Sequence, residues 1–257
     1  METDALDKKT FMLIHGAWHG AWCWDAVAES LRHAGHNVHT PTLPGLGERS
    51  HESLADIGLS TFIDDICRYI DQHDLHTILL VGHSFGGLVA TGVADRLPQR
   101  IGHLILLDPF LLPSGQSAFD TLSPEVVAKL EHGAAQVGGL PPPQAARLGL
   151  PNPDDQAYVQ ARLVPHPIGT YREPLQLRNP PGHGLPVTHI RCTDPVFGPV
   201  DGAWSWAREQ FGNRWQWREL AAGHDAMISH PQQVAGILLD IAASAPGAGG
   251  LMDQSAR

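Results

Sequence analysis

Cysteine is scarce: three residues in 257, Cys23, Cys67 and Cys192, far apart and odd in number. That argues against a disulfide framework and suits a reducing, cytoplasmic setting. Basic residues are also few, 17 Lys and Arg against 27 Asp and Glu, for a formal charge of −10. No run of Lys or Arg resembles a phosphate-binding stripe, so nucleic acid is not an expected partner. No apolar run approaches the roughly 20 residues that cross a bilayer, so no membrane span is expected. The opening stretch "METDALDKKT" is polar and has no apolar signal core behind it.

What is present is a chain that is 42 % apolar and of a length that suits one large α/β domain. Apolar runs of two textures alternate. Short continuous runs, "FMLIHG" (11–16), "HNVHTPT" (36–42), "HTILLVGH" (76–83), "IGHLILLD" (101–108), "PVTHIRCT" (186–193) and "RWQWREL" (214–220), read as strands. Between them, helical spacing appears over 21–35, closing on Gly35, and over 59–73, with Ser60 or Thr61 as N-cap. It returns over 86–97, near 201–211 and over 231–244. Continuous apolar strands separated by helices predict a parallel sheet covered on both faces. The rhythm breaks over 110–185, which is rich in Pro and Gly and carries helical pieces such as 123–135. The expected organisation is therefore a core of 1–109 and 186–244 with a mainly helical cap inserted at 110–185. Loose polar ends are expected over 1–10 and 245–257.

The stretch "VGHSFGG" (81–87) stands between a strand and a helix. Gly82-His83-Ser84-Phe85-Gly86 fits G-x-S-x-G, and in that context the pattern is a nucleophile elbow. Glycines relieve crowding in the tight turn, and Ser84 Oγ is displayed at the strand's carboxyl end. A serine hydroxyl needs a base. His224, behind Gly223 and between the last strand and the last helix, is the candidate; His230, beside Pro231, is the weaker one. An oxyanion hole needs donors from the elbow and from the loop after the first strand, which nominates the N–H groups of Phe85 and Ala17. His15 and His19 in that loop read as packing and hydrogen-bonding residues rather than metal ligands, because no nearby carboxylate or thiol completes a set.

The stretches "LIHGAWHGAWCW", "PTLPGLGERSH", "LLVGHSFGG", "LILLDPFLLPSGQS" and "GHDAMISHP" resemble those of α/β-hydrolases, in the branch of plant methylesterases, hydroxynitrile lyases and their bacterial esterase-like relatives. The resemblance spans nearly the whole core and weakens in the cap, where "LVPHPIGTYREPLQL" (163–177) also resembles the bacterial members. It implies an α/β-hydrolase fold and a Ser-His-Asp mechanism without metal or other cofactor. Two aspartates compete for the acid. Counted along such a fold, Asp108 follows the sixth strand and Asp194 the seventh. The fold usually keeps its acid after the seventh, but certain haloalkane dehalogenases place it after the sixth. Plant relatives carry it two or three residues beyond the threonine matching Thr193, whereas Asp194 comes one residue after. Bacterial relatives usually show an aspartate in the pattern matching "LLDPF". Asp108 is preferred and Asp194 stays the alternative; either could instead be a turn or N-cap aspartate beside proline. Asp225 is expected to point away from His224.

The expected activity is a serine carboxylesterase acting on a small, mainly apolar ester. Trp18, Phe110, Leu111 and Phe119 are the expected substrate contacts, each with core packing as the plainer reading. Two other readings stand beside it: a hydroxynitrile-lyase-type enzyme, and a ligand-binding receptor on a hydrolase fold. The lyases resemble one another in a threonine after the first-strand histidine and a lysine after the catalytic one. This chain has Gly16 and Asp225 there, and an aspartate would repel departing cyanide. The expected partner is a small-molecule ester, and a homodimer is the oligomer considered.

Overall fold

A computed structural model describes residues 8–245. Six strands form one sheet: β1 Thr10–Ile14, β2 Asn37–His39, β3 Ile78–His83, β4 Ile101–Leu107, β5 Val187–Cys192 and β6 Gln216–Leu220. Every pairing is parallel, in the order β2-β1-β3-β4-β5-β6. The helices are α1 Asp25–His33, α2 Leu59–Gln72, α3 Gly86–Arg96, α4 Pro124–Val137, α5 Pro153–Gln160, α6 Gly169–Arg172, α7 Gly198–Phe211, α8 Ala226–Ser229 and α9 Pro231–Ser244.

The period of two along a strand explains the layers. Met12 and Ile14 of β1 join Leu80, Leu104 and Leu106 on the face that packs against α2 and α3. Phe11 and Leu13 join Leu79, Val81 and Ile105 on the opposite face, against α1 and α9. Both faces are thus buried, as the continuous apolar runs require.

Sequence and structure differ in four places. Thr10, expected in the loose end, starts β1, because its backbone pairs with Asn37 and Ile78. The cap of α2 is Gly58, not Ser60 or Thr61; Thr61 sits inside the first turn and its Oγ1 accepts the N–H of Gly58. The first helix splits into a 3₁₀ turn, Ala21–Trp24, and α1. With six strands described, Asp108 follows the fourth strand of this sheet and Asp194 the fifth, in each case two fewer than the fold-wide count. The tail expected over 245–257 lies, apart from residue 245, outside the described residues.

Between β4 and β5 the chain runs as α4, α5 and α6 joined by 3₁₀ turns and irregular segments, with one antiparallel bridge, Leu140 to His166. The sheet order reverses between β1 and β3, since the chain leaves β1 for β2 on one side and resumes at β3 on the other. In an open parallel sheet, that switch point at the carboxyl ends is where a crevice forms. The loop after β1 and the turn after β3 meet there.

Candidate active site

The turn between β3 and α3 holds Ser84 at φ +51°, a left-handed conformation costly for a side chain with a Cβ. The flanking glycines are forced by close approach. A Cβ on Gly82 would lie 2.5 Å from the Gly86 carbonyl oxygen, and one on Gly86 would lie 2.5 Å from that of His15. Local bonds hold the turn. The Ser84 N–H donates to Leu107, and the Ser84 carbonyl accepts from Gly87 and Phe110 at 2.9 and 2.7 Å.

His224 comes from the segment between β6 and α8. Its Nε2 lies 2.9 Å from Ser84 Oγ, and its Nδ1 lies 2.6 Å from Asp108 Oδ2. A carboxylate accepts, so Nδ1 carries the proton and Nε2 presents its lone pair to the serine hydroxyl. The other Asp108 oxygen, Oδ1, accepts the Cys192 N–H at 3.0 Å. Asp108 itself sits at φ +41° in the turn leaving β4. All three side chains are nearly closed to solvent; Ser84 is the most accessible at 9 %. Asp194, by contrast, is exposed after β5. His230 is partly buried, and its Nδ1 pairs with Ser229 Oγ.

Ala17 and Phe85 are buried, yet among the described residues their N–H groups donate to no protein acceptor. Buried unbonded N–H groups are rare and costly, so both are open to an acceptor. His15 orients one of them. Its Nδ1–H donates to the Gly16 carbonyl at 2.8 Å, and its Nε2 accepts the Leu43 N–H at 3.1 Å. That carbonyl belongs to the same peptide unit as the Ala17 N–H. Burial pushes the His15 pKa down to about 3, which keeps the ring neutral.

His19 is packed and hydrogen-bonded as expected, but the premise that no carboxylate lies near it does not hold. A carboxylate does approach it: Asp225, 206 positions away, places Oδ2 3.1 Å from His19 Nε2. The Asp225 carboxylate is turned on His19 but also lies within 4.8 Å of a His224 ring nitrogen, so the expectation that it points away from His224 holds only in part. Among the described residues, one group of three has metal-ligand chemistry: His83, His224 and Asp225, with ligand atoms within 4.8 Å of one another. Most of those atoms are committed. His83 Nε2–H donates to the His224 carbonyl at 3.0 Å, both His224 nitrogens are used, and Asp225 Oδ2 faces His19. The remaining His83 Nδ1 and Asp225 Oδ1 do not make a four-ligand set.

An aromatic cluster surrounds Phe85, the residue after the serine. Phe85 stacks on Tyr171, with ring centres 4.9 Å apart, and meets Phe110, Phe62 and His166. Phe119 packs against Tyr171, while Trp18 packs against His166 and gives its indole N–H to the Leu140 carbonyl. Phe110 and Leu111 also line a cleft of about 500 Å³ that Leu112, Leu122, Ala203 and Trp206 extend. Trp18 and Phe119 do not border that cleft. Three contributors were not legible in the sequence. Phe197 stacks on the His224 ring at 4.0 Å; His166 and Tyr171 complete the cluster from the inserted segment. Phe197 is marked by no motif, and the stretch 163–177, noted only for its family resemblance, gave no role to His166 or Tyr171; the long-range fold brings them near.

A strained serine paired to a histidine at the switch point of a parallel sheet marks a hydrolase-type α/β protein. The chain belongs to the α/β hydrolase family, which matches residues 11–237. It is 38 % identical over 241 residues to the carbendazim hydrolyzing esterase of Nocardioides sp. (strain SG-4G), covering 88 % of this chain and 96 % of that one. It is 26 % identical to Methylesterase 10 of Arabidopsis thaliana, covering 91 % of each. Among solved structures, it is similar to an extracellular α/β-hydrolase from a Paenibacillus species described as sharing structural and functional homology with Tobacco Salicylic Acid Binding Protein 2. The TM-score is 0.77 at 25 % identity, over 90 % of this chain and 98 % of that one.

Proposed function

We propose that this chain is a serine carboxylesterase in which Ser84 is the nucleophile, His224 the general base and acid, and Asp108 the orienting carboxylate. The observation that carries this is the unbroken relay Ser84–His224–Asp108 beside two buried, unbonded N–H groups. The esterase names of two relatives that cover nearly the whole chain support the reaction class.

Ester hydrolysis on this geometry runs in two halves. Ser84 Oγ attacks the acyl carbon while its proton passes to His224 Nε2. The carbonyl oxygen becomes an oxyanion and accepts from Ala17 and Phe85 N–H. Asp108 stabilises the imidazolium through Nδ1–H. The tetrahedral adduct collapses, the C–O bond to the alcohol breaks, and His224 returns the proton to the leaving oxygen. Water then attacks the acyl-enzyme, giving its proton to His224, and the acid leaves as Ser84 regains its hydrogen.

The substrate class follows from the walls. Aromatic rings around Phe85, the residue after Ser84, and a cleft of about 500 Å³ that shares Phe110 with them and is lined by Leu111 and Leu112 suit a small, apolar or aromatic ester. Trp18 and Phe119 act by holding that cluster under the inserted segment, which serves as its lid. Carbendazim, named for the Nocardioides relative, is a direct test substrate. Free thiols at Cys23, Cys67 and Cys192 support a reducing, cytoplasmic setting. The lyase reading is disfavoured by space. A Cβ at Gly16, where those enzymes carry threonine, would lie 2.9 Å from Ser84 Cβ and would have to displace the serine.

A fluorophosphonate probe tests the reading together with hydrolysis of p-nitrophenyl acetate. Labelling and turnover that both vanish in Ser84→Ala are expected. A wild-type protein that neither labels nor turns over any ester would instead point to a receptor on this fold.

A further inference from the structure

The segments that carry the reacting groups are cross-linked by buried polar side chains that the reaction itself does not use. Asp225 follows the base, and His19 lies two residues beyond Ala17. Both are buried, at 0 and 2 % exposure. The two nitrogens of His19 face atoms that only accept: Ala17 carbonyl oxygen at 2.7 Å from Nδ1, and Asp225 Oδ2 at 3.1 Å from Nε2. A neutral imidazole has one N–H, so it would leave one of these contacts lone pair against lone pair. Both are satisfied only when His19 is an imidazolium.

The surroundings agree. The His19 ring stacks on the Trp22 indole, centres 5.2 Å apart, a face that favours a cation. Burial alone pushes the His19 pKa down, but the Asp225 carboxylate and its hydrogen bond outweigh it, so the pKa lies above the ordinary value. Three neighbouring groups stay uncharged. Burial holds His15 and His83 neutral and raises the Cys23 thiol. The His224 ring has its nitrogens on Ser84 and Asp108.

We infer that His19 and Asp225 form a buried ion pair that positions the oxyanion donor of Ala17 against His224. This role rests on the proposed ester hydrolysis. The imidazolium grips the Ala17 carbonyl next to Trp18, whose φ of +66° holds the loop in a left-handed turn. Through Asp225 the same cation anchors the backbone that carries His224. His83, next to the nucleophile, grips the His224 carbonyl from the other side. The three reacting segments are therefore held to one another rather than only to the sheet. When His19 loses its proton, Nδ1 or Nε2 turns a lone pair on its acceptor, and the loop after β1 relaxes from its working position.

Two measurements test the pair. Long-range ¹H–¹⁵N correlation spectra of histidine-labelled wild-type protein at pH 7.5, assigned with His19→Gln, should show both His19 nitrogens protonated. A neutral His19 ring there overturns the inference whether or not the protein is an esterase. The second is the pH profile with p-nitrophenyl acetate. Wild-type kcat should fall on an alkaline limb as His19 deprotonates. In Asp225→Asn the limb should move to lower pH, and kcat at pH 7.5 should drop on the order of 10²-fold, the scale of a misplaced oxyanion donor, with KM changed less than about threefold. Asp225→Asn with His19→Gln should lose little more than Asp225→Asn alone, because the pair acts as a unit. An unshifted limb in a folded Asp225→Asn protein, checked by circular dichroism and fluorophosphonate labelling, or fully additive losses in the double variant, would refute the role. An inactive wild type would instead sink the esterase reading and leave the spectroscopic result standing.

Discussion

Asp108→Asn is the substitution whose outcome the structure fixes most closely. The carboxylate has two bonds, Oδ2 accepting His224 Nδ1–H at 2.6 Å and Oδ1 accepting the Cys192 N–H at 3.0 Å. An asparagine has one acceptor and one donor end. The Cys192 N–H lies in the backbone of β5 and cannot turn, so the amide oxygen must stay with it. The amide NH₂ then faces His224 Nδ1, which must accept. The ring proton moves to Nε2, and the histidine now points an N–H at Ser84 Oγ and cannot take its proton. Flipping the amide restores the tautomer only by setting NH₂ against the Cys192 N–H, leaving a buried donor unpaired at about 1–3 kcal/mol. It also leaves the imidazolium of the transition state without its counter-charge. The loss expected in kcat is on the order of 10⁴-fold, which is about 5 kcal/mol at 1.36 kcal/mol per decade. Steady-state kinetics on p-nitrophenyl acetate measure it, with circular dichroism to verify the fold. Asp194→Asn, on an exposed side chain, should stay within about twofold. A loss below tenfold at Asp108, or a large one at Asp194, would mean that the contact seen here is not the working one.

Ser84→Ala should remove about 10⁶-fold of turnover, and His224→Ala nearly as much, with a double variant scarcely worse than either; additive losses would deny them a shared step. Phe197→Ala should lower kcat/KM about tenfold with little change in melting temperature, since it frees a ring stacked at 4.0 Å on His224; an unchanged pH-rate profile and rate would show the stack to be idle. Gly82→Ala should cost more than about 2 kcal/mol in urea unfolding, as its Cβ would meet the Gly86 carbonyl at 2.5 Å; a near-neutral effect would mean that the elbow yields easily. Acid should destabilise the fold early. Burial holds His15 and His189 to about 3 and His103 to about 4, and His83 and His166 well below normal. These rings are neutral when folded and take protons when unfolded below about pH 6.5, so each removes up to about 1.4 kcal/mol of stability per pH unit as pH falls from there towards its folded value. Urea midpoints that stay flat between pH 6.5 and 5 would contradict this.

The alternation of apolar runs exposed the sheet and its flanking helices because a strand buried on both faces leaves no polar positions. The elbow was legible because its chemistry is local: strand, tight glycine turn and helix follow one another within Ile78–Arg96. His224 was legible by order, as the histidine between the last strand and the last helix. What escaped is what depends on contacts across the sheet. The partnership of His19 with Asp225 spans 206 positions and has no spacing rule. Phe197, His166 and Tyr171 sit on segments whose local pattern says only loop or short helix. The cap of α2 was misplaced for a smaller reason: Thr61 bonds to the backbone of Gly58, as an N-cap would, but from inside the first turn.

The choice of acid shows how strand order decides what local sequence could not. Both aspartates leave the sheet at its carboxyl edge just after an apolar strand, so their surroundings in the sequence are nearly alike. Neighbouring strands lie about 4.8 Å apart. Ser84 directly follows β3, Asp108 directly follows the adjacent β4, and Asp194 lies beyond β5, one strand further. The histidine arrives from beyond β6 and must reach back over β5 and β4 to touch the serine. Once there, its ring and two hydrogen bonds, 2.9 and 2.6 Å, bridge one strand spacing comfortably. Reaching from β3 to the end of β5 means crossing about 10 Å, which demands a turn after β5 that curls inward. Here the Asp194 side chain is exposed, while Phe197 of the same turn reaches His224 and the Cys192 N–H of β5 is turned on Asp108. The fifth strand thus supports the carboxylate of the fourth through its backbone.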